Sequence, residues 1–227
     1  MNFHAIAYAL LGGVLPALLW LSFWLREDRK QPEPRNLIRK TFFFGMLAVI
    51  LVLPFQKGVE MIFPSLTALS LFLWAMLEEI FKFGAGYFGG LRSVEDNEPI
   101  DPMVYMITAA LGFVALENTL FIFSPIIAHD ALQSFITGNM RFIGASLLHV
   151  VSSGILGASL SLSFYKSWYQ RVTYVAMGLS LAIIFHLIFN LLILGGSEQG
   201  TTLSFVSVWV GVVLLLLTFE RVKRIAH

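Results

Sequence analysis

The sequence predicts an all-α protein: a polytopic bundle of about seven membrane-spanning helices, forming one integral-membrane domain over residues 1–227. Three observations predict it. The chain is 57% hydrophobic and only 13% charged, with a mean hydropathy of +0.79, which is the composition of a membrane protein. Its apolar residues gather in runs close to the roughly 20 residues that a hydrocarbon core requires. The connectors between those runs are short, so no separate soluble domain fits. A formal net charge of +1 says little about partners; the lipid bilayer is one, and no nucleic acid is expected. Cysteine is absent, which excludes disulfides, zinc–thiolate sites and cysteine nucleophiles.

The first run, 4–25, opens on MNFH without the basic stretch of a cleaved signal peptide, and is expected to be a permanent span. The connector REDRKQPEPRNLIRK at 26–40 is a stiff, charged, proline-marked loop. Its basic residues read as a positive-inside anchor, with contact to lipid headgroups or substrate as the alternative. The run at 41–63 is the weakest, because Pro54, Lys57 and Glu60 interrupt it; it is expected to end near residue 55 and continue as an interfacial segment. The third run, 65–90, carries Glu78, Glu79 and Lys82. Asp101 and Pro102 read as an N-cap and first-turn proline for the fourth, 102–123, which carries Glu117. The fifth, 141–165, carries His149 and a small-residue stretch, Ser152, Ser153, Gly154, Gly157 and Ala158, that permits close helix packing. The sixth, 172–194, carries His186 and Asn190, and the last, 202–219, reads as scaffold. His4, His129 and His227 fall at termini or in a loop and are expected to be solvated.

Basic residues set the expected orientation. With the N-terminus outside and the C-terminus inside, Arg26, Arg29, Lys30, Arg35, Arg39, Lys40, Arg92, Lys166, Arg171, Arg221, Lys223 and Arg224 are all cytoplasmic. Only Lys57 and Arg141 fall outside.

Six ionisable residues remain inside the runs: Glu78, Glu79, Lys82, Glu117, His149 and His186. Each costs roughly 2.5–3.5 kcal/mol at a bilayer centre even on lenient insertion scales, so such groups face the bundle interior and find partners. Spacings of three and four residues join Glu79 and Glu78 to Lys82, Phe113 to Glu117, His149 to Ser153, and His186 to Asn190. Each helix thus turns a small polar face in one direction. Any one of these residues is explained by an interhelical hydrogen bond or ion pair; all of them on four runs form a site. Two adjacent carboxylates share one lysine, and the carboxylate left over is suited to general acid–base work. Helical geometry allows either Glu78 or Glu79 in that role.

The motifs EEIFK at 78–82, GFVALEN at 112–118, HVVSSG at 149–154 and HLIFN at 186–190 resemble those of the PrsW family of intramembrane proteases. That family lies within the wider group of CAAX prenyl endopeptidases and bacteriocin-immunity-type membrane proteases. The likeness runs from the QPEP connector to Asn190, and the motif-bearing core is about 65–194. CAAX-type enzymes resemble F-x-x-x-H at the second motif, whereas Phe113 and Glu117 here resemble PrsW, which argues against prenylated substrates.

The resemblance implies a prokaryotic enzyme of the cell membrane that cuts a membrane-spanning protein, with an anti-sigma factor as the family's best-known substrate. It implies a glutamate-activated water. Glu78 would take the proton, Glu79 would be the second carboxylate and Lys82 would tune their charge. Glu117 and His149 would orient the water or protonate the leaving amine, and His186 and Asn190 would donate to the oxyanion. No cofactor is expected. Zinc held by Glu117, His149 and His186 is the variant, two histidines and a glutamate being a known catalytic ligand set. The rival of another class is a proton- or ion-coupled transporter, which also buries such residues.

Overall fold

The computed structural model describes residues 3–65, 67–128 and 130–225, so His129 and His227 lie outside the described residues. Every regular element among them is helical. In chain order they are α1 (Phe3–Trp24), α2 (Arg35–Ile62), α3 (Ala68–Gly86), α4 (Asp101–Ile127), α5 (Ala131–Met140), α6 (Ser146–Leu162), α7 (Trp168–Leu194) and α8 (Glu198–Val222). A π-helical turn at Tyr87–Leu91 extends α3, and another at Arg141–Ala145 joins α5 to α6. Six helices are long and apolar enough to cross a membrane, with α5, the turn and α6 acting as one. The one expected span not among them is α3, whose 19 residues hold Glu78, Glu79 and Lys82, all buried. The fold is a helical membrane bundle.

α4 is its axis. It packs against α1, α2, α3 and α6, and is buried on every side through most of its length. Close approach by α2 depends on two glycines. A Cβ on Gly112 would stand 1.9 Å from the Phe42 carbonyl oxygen, and one on Gly45 would stand 2.1 Å from that of Ala109. The main apolar core lies along α4, α6 and α8, where Leu111, Leu147, Val151, Val212 and Phe219 meet. Outward faces carry exposed Leu19, Leu51, Leu181 and Leu217, as lipid-facing helices do.

Three boundaries differ from the sequence reading. α2 continues unbroken through Pro54 to Ile62 rather than ending near residue 55. A proline costs one backbone hydrogen bond, and a helix packed along α4 and α3 absorbs that loss. Ile100, not Asp101, is the N-cap of α4; the Asp101 carboxylate instead turns back to accept the Asn97 and Glu98 amides at 2.8 and 2.7 Å. The fifth span begins before residue 141, so Arg141 lies within a helical segment and not in an outer loop.

Candidate active site

Thr67 fixes where α3 starts. Its hydroxyl accepts the Ser70 amide at 3.2 Å and its own amide donates to Ser70 Oγ at 2.9 Å. Three turns on, Glu78, Glu79 and Lys82 point into the bundle, where α4 brings Glu117, α6 brings His149 and α7 brings His186.

Glu79 is the hub. Its Oε1 accepts from Lys82 Nζ at 2.6 Å, from Ser152 Oγ at 2.8 Å and from His186 Nδ1 at 2.7 Å. Lys82 is wholly buried, lies 2.9 Å from His149 Nδ1 and sits above the Phe113 ring at 5.4 Å. An ammonium only donates, so His149 Nδ1 accepts and its proton rides on Nε2, which donates to Glu117 Oε2 at 3.2 Å. Arg141 pairs with the same Glu117 oxygen. Glu78 differs from its neighbour. Gln56 of α2 donates to its Oε1 at 2.8 Å, while its buried Oε2 has no hydrogen-bond partner and lies 3.6 Å from His186 Nε2. With Nδ1–H spent on Glu79, His186 Nε2 presents a lone pair toward that oxygen. The result is one polar chain from Gln56 to Arg141 across α2, α3, α7, α6 and α4.

The predicted residues thus converge, with one exception. Asn190 is partly buried one turn beyond His186, and among the described residues no hydrogen bond ties it to the cluster. Four members escaped the sequence reading: Gln56, Arg141, Asn118 and, as a hydrogen-bond donor rather than a packing residue, Ser152. Ser153 Oγ is buried and has no hydrogen-bond partner, so no base engages it.

The PrsW family intramembrane metalloprotease model matches residues 33–218. The chain belongs to the PrsW family. It is therefore a protease, a hydrolase that works within a membrane. Relatives named Protease PrsW align along nearly the whole chain. The one from Geobacillus kaustophilus is 26% identical over 94% of this chain and 88% of its own length. That from Halalkalibacterium halodurans is 23% identical over 94% and 95%, and that from Oceanobacillus iheyensis 26% identical over 95% and 94%. No solved structure matches.

A metal is implied by the description of the PrsW family, and the residues can be tested against one. Glu78, His149 and His186 offer ligand atoms that all lie within 4.8 Å of one another, a group that has Glu78 where the sequence suggested Glu117. Two donors fit as they stand: the unpartnered Glu78 Oε2 and the His186 Nε2 lone pair. His149 fits once Lys82 releases Nδ1, since a neutral imidazole offers a metal one lone pair only. Two imidazoles and a carboxylate suit a divalent ion such as zinc.

Proposed function

We propose that this protein is an endopeptidase of the prokaryotic cell membrane that hydrolyses a peptide bond of a membrane-spanning protein substrate, with Glu78 as the carboxylate that meets the attacking water. The observation that carries this reading is the pairing of two unspent acceptors. Glu78 Oε2 and His186 Nε2 lie 3.6 Å apart, so one water can donate a hydrogen to each and turn a lone pair outward. Gln56 and Glu79 hold those two groups in place. As the carbonyl is attacked, Glu78 takes the water's proton. Lys82 stays on Glu79 and sets the charge of the pocket, and its hold on His149 Nδ1 would be given up to a metal. Asn190, one turn beyond His186 on α7 and without a hydrogen bond among the described residues, would be the donor to the oxyanion. His149 gives its Nε2 proton to the leaving amine and is restored by the proton that Glu78 took from the water, while Glu117 holds the imidazole at that nitrogen. When bound, a divalent metal held by Glu78, His149 and His186 would acidify the water and polarise the carbonyl, and Glu78 would then serve as a ligand instead of as the base.

The sequence alone favoured a metal-free site; the family's description and the three converging donors favour the metal. The test is cleavage in lipid nanodiscs of a panel of single-pass membrane proteins from the same cell, anti-sigma factors included, with elemental analysis alongside. Expected are site-specific cuts that chelator suppresses and zinc restores, and metal that is lost in H149A and H186A. Full activity without bound metal would overturn the metal assignment. Proton-coupled solute uptake with no cleavage of any panel member would favour a transporter.

A further inference from the structure

Arg141 belongs to no motif, yet the fold builds a socket for it. Its Nε donates to Asn118 Oδ1 at 2.7 Å, and its Nη2 donates to Glu117 Oε2. Asn118 Nδ2 donates in turn to Ser146 Oγ at 3.2 Å, and that hydroxyl donates to the Arg141 carbonyl at 2.9 Å. The ring closes on itself. Asn118 and Ser146 are at most 1% exposed and spend these hydrogen bonds on the arginine and on each other. The π-helical turn is pinned from outside as well, by Trp20 Nε1 donating to the Phe142 carbonyl at 3.2 Å. The guanidinium lies 3.8 Å from the Phe121 ring centre, a further face that fixes its plane. Arg141 and Glu117 are also more exposed than the other ion-paired groups of the chain, with side chains 16% and 15% exposed against 10% for Glu78 and 3% for each histidine.

We propose that Arg141 is a positioning residue of the proteolytic site: from the socket of Asn118 and Ser146 it fixes Glu117 against His149. The inference rests on the reading that Glu117 serves the reaction through His149. Glu117 Oε2 takes both Arg141 and His149, and a free carboxylate on a two-torsion stem has no other restraint to keep that oxygen on the imidazole. The planar fork of Arg141 spans Glu117 and Asn118 through two separate nitrogens in one fixed plane, whereas a lysine offers both hydrogens from a single rotatable nitrogen. A basic residue near the end of a span is here part of the wall of the site.

The test uses the full-length protein in nanodiscs and the panel substrate that is cut fastest. R141A is expected to lower kcat roughly 10- to 100-fold, the usual loss when a partner holding an active-site group is removed, with KM unchanged. R141K should recover part of that loss. N118A should lower kcat less, and N118A/R141A should be no slower than R141A, because the two residues act as one unit. E117Q/R141A should likewise be no slower than E117Q. A residue that merely joined helices would lower the melting temperature and give additive losses instead. If R141A does not accumulate, R141Q, which keeps length and a donor, is judged by the same comparisons. R141A at near wild-type kcat beside an inactive E117Q overturns the positioning role alone; E117Q at near wild-type kcat overturns both this role and the reading of Glu117.

Discussion

Two clusters of buried carboxylates stand along α4, one at its head and the other roughly 24 Å further along its axis, and they are neutralised by opposite means. Around Glu79 and Glu117 every carboxylate has a cation or imidazole in contact: Lys82, Arg141, His149 and His186. The second cluster gathers Asp28 and Glu33 of the connector, Asp96 of the next loop and Asp101 of α4. There the Glu33 amide donates to Asp28 at 3.1 Å and the Tyr105 hydroxyl donates to Glu33. Among the described residues no ion pair reaches any of its four acids. Burial therefore pushes Asp28 up to about 7, Glu33 up to about 8 and Asp96 up to about 7, and the nearby Asp101 carboxylate adds to each rise. One cluster keeps its charges and wires five helices together; the other takes up protons and pins the connector to the head of α4. Charge kept inside a bundle at such cost fits the proposed catalytic site, and acids that hold protons up toward neutral pH fit a seam.

The comparison breaks most sharply in kinetics. E78Q should lower cleavage by roughly 100- to 10,000-fold, the range of a lost general base, while the protein accumulates and still binds substrate. Glutamine keeps the shape and the Gln56 contact but cannot take a proton. E33Q, in the other cluster, should leave kcat within a factor of two or so of wild type. Near-normal cleavage by an E78Q/E79Q double variant would remove Glu78 from the mechanism and with it the distinction between the clusters.

The division of labour between Glu78 and Glu79 shows how far the sequence reached. Adjacent acids and a lysine three residues on were visible, as were the two histidines, because ionisable residues stand out in apolar runs. Which acid was spent depended on Ser152 and His186 converging on Glu79, and no helical spacing encodes contacts between helices. Gln56 was hidden by its neighbours. Pro54, Lys57 and Glu60 made that stretch look like an interfacial break, whereas packing on α4 carries the helix through. Arg141 was hidden by its place: a basic residue beside a span end looks like an anchor, and only the π-helical turn brings it onto Glu117. Asp101 was legible as a cap but not as one facing backward, since the same side chain can serve either neighbour.

Stability gives the next largest effect. K82M leaves Glu79 buried with His186 and Ser152 alone, and breaking a buried pair on one side costs about 3–5 kcal/mol. A marked fall in melting temperature is expected, together with loss of cleavage. K223M is the contrast. Its contacts with Glu27 and Glu220 are both 2.7 Å but partly exposed, and pairs of that kind contribute little. Equal melting temperatures for K82M and wild type would show that Lys82 is not what neutralises Glu79.

The smallest effect separates the clusters by sign. Asp28, Glu33 and Asp96 carry raised values in the folded protein, against ordinary carboxylate values near 3.8 to 4.5 when unfolded. Between those limits the folded state holds more protons than the unfolded one, so stability falls as pH rises. The stabilisation is complete below about pH 4 and gone above about pH 8. Melting temperatures taken from pH 4.5 to 8.5 should decline across that window. E33Q imitates the protonated acid, keeps an acceptor for Tyr105 and removes a repulsion from Asp101. It should flatten the upper part of the curve and raise the melting temperature at pH 8 by a degree or two, about what half a kcal/mol produces. E79Q should do the reverse, lowering it at every pH, because it strips a carboxylate from Lys82 and His186. A rise in stability toward pH 8, or a destabilised E33Q at that pH, would mean that the connector cluster holds charge as the site does.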